Sequence, residues 1–146
     1  MKVLVVWDSL SGNTEEMAFE IIEALRDEGA EVLMHSIDGR EPLPDGSDPG
    51  LVFLGTYSGD DGQAPVSTDR FIRNHPFTVP VACFGSGEVI WGEEFFCGAV
   101  DIMREHYGSP FSGFKQELMP NMVEAAELQA WAADIYRQVA VPAAAG

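Results

Sequence analysis

Basic residues are scarce in this chain: 8 lysines and arginines stand against 24 aspartates and glutamates, a formal net charge of −16. A protein so charged repels nucleic acid and anionic membrane surfaces and draws basic partners toward it. Long apolar runs are also missing. Runs such as residues 3–7 and 79–84 fall well short of the roughly 20 residues a membrane-spanning helix needs. Cysteine is nearly absent, with only Cys83 and Cys97, in neither CxxC nor metal-type spacing. No disulfide framework is expected, which makes the cytoplasm the expected compartment, and Cys83, inside an apolar run, reads as an inert buried thiol. His35, His75 and His106 are scattered without metal spacing and read as ordinary packing or surface residues. The N-terminus has one lysine, then apolar residues, and no small-residue cleavage site, so it reads as a first strand and not as a signal peptide.

What remains is a chain of 146 residues, 46% of them apolar, enough for one domain with a substantial core. We expect that domain over residues 1–139, with a frayed tail at 140–146. Apolar, β-branched runs alternate with amphipathic stretches, the pattern of a parallel sheet covered by helices. Strands are expected at 2–7, 31–37, 51–56, 79–84 and, more weakly, 111–118. Helices are expected at 14–28, 67–74, 94–107 and 122–138, and a Pro-, Gly- and Asp-rich surface loop at 38–50. Right-handed crossovers make this an α/β three-layer sandwich on a five-stranded parallel sheet, for which we expect the order 2-1-3-4-5, one of the two common doubly wound orders. In that order ligands bind beyond the carboxyl ends of strands 1, 3 and 4.

After the first strand comes Asp8-Ser9-Leu10-Ser11-Gly12-Asn13-Thr14-Glu15, a turn dense in hydroxyls that opens directly into a helix. The helix start supplies N–H groups without intrahelical partners and a partial positive charge, and the side chains add donors. Together they suit a phosphate without any lysine or arginine, and no basic residue lies between Lys2 and Arg26. Taken alone, the turn is equally an ordinary strand-to-helix connection with a capping residue. It has neither Gly-Lys-Ser/Thr nor GxGxxG, so a terminal monophosphate fits better than a pyrophosphate.

The loop Thr56-Tyr57-Ser58-Gly59-Asp60-Asp61-Gly62-Gln63 follows the third strand, and Gly85-Ser86-Gly87-Glu88-Val89-Ile90-Trp91-Gly92 follows the fourth. Each is glycine-rich and carries one large aromatic. Two such rings on adjacent loops can hold a planar ligand between them, while the glycines let backbone amides approach its edge. The window 55–69 holds three acids and 85–101 holds four, with no Lys or Arg between Gly55 and Asp69 or between Gly85 and Asp101.

These segments resemble the flavodoxins. Ser9-x-Ser11-Gly12-Asn13-Thr14-Glu15 is similar to their phosphate loop, and Val81-Ala82-Cys83-Phe84-Gly85-Ser86-Gly87-Glu88, then Phe96-Cys97-Gly98-Ala99-Val100-Asp101, to their fourth-strand segment. The resemblance, to the short-chain class, implies a monomeric carrier of single electrons with noncovalent flavin mononucleotide (FMN). Its partners would be basic-faced redox proteins, a flavoprotein reductase and acceptor enzymes. It further implies that Ser9, Leu10, Ser11, Gly12, Asn13 and Thr14 surround the phosphate, with Thr56, Gly85, Ser86, Gly87 and Glu88 on the ring side. Tyr57 and Trp91 would flank the ring, and the Ser58–Gly59 peptide would reorient toward it on reduction. Carboxylates around the flavin would disfavour its anionic reduced form. Gly62-Gln63-Ala64-Pro65, Trp91-Gly92 and Phe114-Lys115-x-Glu117-Leu118 also resemble the flavodoxin-like activator of class Ib ribonucleotide reductase, which serves a dimanganese site. Those proteins have an abbreviated first helix and second strand, whereas 14–37 here is full length. An FMN-dependent quinone or nitro reductase is the third alternative, and no catalytic acid/base set supports it.

Overall fold

The computed structural model describes residues 1–37, 42–44, 48–59, 61–89, 92–118 and 120–145. The chain alternates strands and helices: β1 Lys2–Trp7, α1 Asn13–Asp27, β2 Glu31–Ser36, β3 Leu51–Tyr57, α2 Val66–Asn74, β4 Val81–Gly87, α3 Gly98–Tyr107, β5 Phe114–Glu117 and α4 Met122–Ala145. The strands form one parallel sheet in the expected order β2-β1-β3-β4-β5. Residues 38–41 and 45–47 of the expected surface loop lie outside the described residues.

The unbroken apolar runs follow from burial on both faces, since successive strand residues point to opposite sides. Val3, Val5 and Trp7 of β1 enter one core with Met17, Ile21 and Leu25 of α1 and Leu128, Ala132 and Ile135 of α4. Leu4 and Val6 enter the other with Phe71 and Ile72 of α2 and Val100 and Met103 of α3. β2, at the sheet edge, is only half-buried, which is why its sequence reads as amphipathic.

Several boundaries differ from expectation: β5 is Phe114–Glu117 against the expected 111–118, and β4 runs on to Gly87. β4 begins at Val81 because Pro80, with no N–H, contributes only its carbonyl, which Val52 N–H reaches at 3.0 Å. α3 begins at Gly98, not at 94: Glu93–Phe95 form a separate 3₁₀ turn, and Cys97 stands in the left-handed region at φ 50° before the helix opens. α4 continues to Ala145, so residues 140–145, expected as a tail, are helical.

Both cysteines are buried. Burial pushes the Cys83 thiol up to about 12 and the Cys97 thiol up to about 11. The native protein is therefore expected to leave a thiol-specific disulfide reagent almost unreacted at mildly alkaline pH, and to consume two equivalents once denatured. Fast reaction of either thiol in the folded protein would contradict this. The three histidines gather round the aromatic patch of α2 and α3: His75 stacks on Phe71 at 4.0 Å, His35 lies 5.9 Å from the same ring, and His106 reaches the Ile72 carbonyl at 3.1 Å. Among the described residues no His, Cys, Asp and Glu cluster could hold a metal ion, and no helix is long and apolar enough to cross a membrane.

Candidate functional site

Chain direction brings the carboxyl ends of all five strands to one edge of the sheet, and the loops that leave β1, β3 and β4 meet there. The loop after β1 turns at Gly12, whose φ of 96° is a left-handed conformation that glycine adopts without strain. This residue is the N-cap of α1, with no side-chain cap bond of its own. Ser9 organises the turn. Its Oγ accepts the Gly12 N–H at 3.1 Å and the Glu15 N–H at 3.4 Å. Thr14 is buried, and its hydroxyl pairs with that of Ser86 at 2.8 Å, tying this loop to the end of β4.

Two hydroxyls expected to hold phosphate, those of Ser9 and Thr14, thus bond within the protein. Leu10, Ser11 and Asn13 instead face an open cleft of ≈ 310 Å³. Tyr57 and Ser58 line it from the loop after β3, and Ser86, Gly87 and the exposed Glu88 from the loop after β4. The first N–H groups of α1, which have no carbonyl one turn back, open at the same end as Ser11 and Asn13.

The ring-side loops are locked to one another. Ser58 Oγ accepts the Ala99 N–H at 3.1 Å and so caps α3, whose own N-cap residue Cys97 makes no side-chain cap bond. Gly59 N–H donates to the Gln63 carbonyl at 2.9 Å, and Gly62 N–H returns to the Gly59 carbonyl at 3.0 Å, closing a tight turn. That turn lies on the start of α3, where a Cβ on Gly98 would stand 2.5 Å from the Gly62 carbonyl oxygen. Thr56 and Gly85 do not line the cleft; they lie beneath it. The Thr56 hydroxyl pairs with that of Thr68 at 2.7 Å, and a Cβ on Gly85 would stand 2.7 Å from the Thr56 carbonyl oxygen. Trp91, the second expected ring partner, lies outside the described residues.

One lining residue, Leu118, escapes the sequence reading. It follows β5 at φ 56°, its N–H bonds the Gly87 carbonyl at 3.1 Å, and it lines the cleft with the loops after β1, β3 and β4. The signal for it was the strand order itself: β5 neighbours β4, so its carboxyl end belongs to the same edge.

A family model described as "Flavodoxin" matches residues 5–133. The chain belongs to the flavodoxin family. The "Probable flavodoxin 2" of Bacillus subtilis (strain 168) is 36% identical over 109 residues, 70% of this chain and 69% of that protein. Among solved structures, oxidised Flavodoxin 1 from Bacillus cereus superposes with a TM-score of 0.81 at 25% identity, covering 94% of this chain and 98% of the other. Oxidised Flavodoxin 2 from Bacillus cereus gives 0.79 at 28% identity, covering 94% and 99%. Flavodoxins are FMN-binding electron carriers and not enzymes, and this chain is an electron carrier at the level of its family.

Proposed function

We propose that this flavodoxin binds FMN noncovalently in the cleft between Ser11 and Leu118. There it passes single electrons, as a cytoplasmic monomer, from a flavoprotein reductase to acceptor enzymes. One observation carries the reading: a single cleft joins a hydroxyl- and amide-rich helix start (Ser11, Asn13) to an aromatic side chain (Tyr57) and glycine backbone (Gly87). That donor set suits a phosphate monoester at one end and a planar ring at the other.

FMN, when bound, supplies the one-electron chemistry. Ser11, Asn13 and the α1 amides would hold the phosphate through dipoles, Tyr57 would hold the ring, and the peptides at Ser58–Gly59 and Gly87 would offer it backbone groups. The carboxylates around the cleft, with no basic residue in either ring-side loop, oppose added negative charge on the ring and offer a docking face to a basic partner. The 15-residue α1 and the six-residue β2, paired along the whole of β1, favour the carrier over the ribonucleotide reductase activator, whose first helix and second strand are abbreviated.

Purified protein should quench FMN fluorescence at one equivalent and, once loaded, accept electrons from a flavoprotein reductase. Failure to bind FMN would end the proposal. Oxygen-dependent oxidation of a dimanganese subunit, without electron transfer from the reductase, would favour the activator. Tyr57→Ala should weaken FMN binding by about 1–3 kcal/mol, the loss of one stacked ring and its burial. Unchanged affinity in the same titration would remove Tyr57 from the ring site.

A further inference from the structure

Asp8 is fully buried directly after β1. The even-numbered residues of β1 point to the layer of α2 and α3, and the Asp8 side chain continues that side to reach the start of α2. Its Oδ2 accepts the hydroxyls of Ser67 and, at 2.7 Å, of Thr68. Its own N–H donates to the Gly55 carbonyl at 2.9 Å. Oδ1 is buried with no hydrogen-bond partner, and no ion pair found among the described residues includes Asp8. A buried carboxyl held with half of its acceptors unused is a poor stabiliser, which points to another use.

That use is legible in the protons. A hydroxyl has one to give. Thr68 gives its proton to Asp8, so in the Thr56–Thr68 pair, 2.7 Å apart, Thr56 is the donor. The Thr56 hydroxyl also stands 3.3 Å from the carbonyl of Tyr57, which takes that proton only when Thr68 does not. Asp8 therefore decides which way both hydroxyls point, and with them how the backbone entering Ser58 and Gly59 is held.

We propose that Asp8 is a positioning residue of the flavin site, one that orients the Thr68–Thr56 hydroxyl relay and so fixes the ring-side segment 57–59 against the loop after β1. The proposal rests on FMN occupying the cleft.

The test compares D8A, D8N, T68V and the D8A/T68V double variant. Three quantities are read in each: backbone amide NMR shifts of residues 57–59 without flavin, FMN affinity by fluorescence titration, and the two one-electron potentials of the loaded protein. D8A should move the Tyr57, Ser58 and Gly59 amides and change the equilibrium constant between the two one-electron steps by about tenfold, about 59 mV. D8N keeps an acceptor oxygen for both hydroxyls and should stay within about twofold of the parent. T68V cuts the relay with Asp8 in place, so it should reproduce D8A, and the double variant should go no further than either single one. T68V also carries the test if D8A fails to fold. Unmoved amides and unchanged potentials in D8A or T68V that still bind FMN would overturn the proposal, as would D8N behaving like D8A. Failure of the parent protein to quench FMN fluorescence would instead strike the FMN reading itself.

Discussion

Replacing Phe84 by alanine is expected to lower folding stability by about 3–5 kcal/mol, a large part of what a domain of this size possesses. Phe84 is fully buried in β4, facing the core of α1 and α4, and pairs in register with Gly55 of β3. The ring lies where a side chain of β3 would stand: a Cβ on Gly55 would come within 2.1 Å of Phe84 Cε2. Removing the ring leaves a void that cannot close, because the sheet's hydrogen bonds hold both strands apart. Gly55→Ala on its own pushes a methyl group into the ring and should cost about 1–3 kcal/mol. In the double variant that methyl group enters the vacated space, so the combined loss should fall below the sum by about 1 kcal/mol or more. Equilibrium urea unfolding of the flavin-free protein, with unchanged denaturant slope, measures all three. Strict additivity would mean that the two positions do not share the space described.

Ser11→Asp is expected to weaken FMN binding by about a thousandfold. Ser11 lines the cleft at the start of α1, and no lysine or arginine lies between Lys2 and Arg26 to offset a new carboxylate. Two like charges about 4 Å apart repel by about 4 kcal/mol at an effective dielectric constant of about 20. With 1.4 kcal/mol per tenfold, the loss is about three decades. Riboflavin, which has the same ring and no phosphate, gives the control. Its affinity should change by less than about tenfold. An equal loss for both ligands in fluorescence titrations would show that Ser11 stands against the ring and not the phosphate.

Much of this molecule is legible in its residues. β1, β3 and β4 are continuous apolar runs because both faces are covered, and α1 shows Met17, Ile21 and Leu25 at helical spacing because one face is covered. The three loops that meet at the cleft follow from strand order alone. Less legible is which way a hydroxyl faces. Ser9 and Thr14 read as phosphate donors, and nothing in the sequence shows that Ser9 Oγ also accepts the Gly12 and Glu15 amides, or that Thr14 meets Ser86 from 72 positions away. Leu118 was missed because a leucine at a strand end carries no chemical mark, and its left-handed backbone is imposed by the bond to Gly87. The start of α3 was misplaced for a similar reason: 94–97 holds no glycine or proline to mark a break, but the turn at Cys97 separates it from the helix.

The loop after β1 has a consequence for ligand choice. The helix start offers only about half an elementary charge, less than one phosphate monoester carries, and Glu15 and Glu16, in the first turn of α1, already draw on it. Such a loop has a low ceiling for negative charge. A di- or triphosphate brought to it would carry charge that nothing in this stretch of chain can match. Charge at this loop therefore favours a singly phosphorylated ligand over a di- or triphosphate.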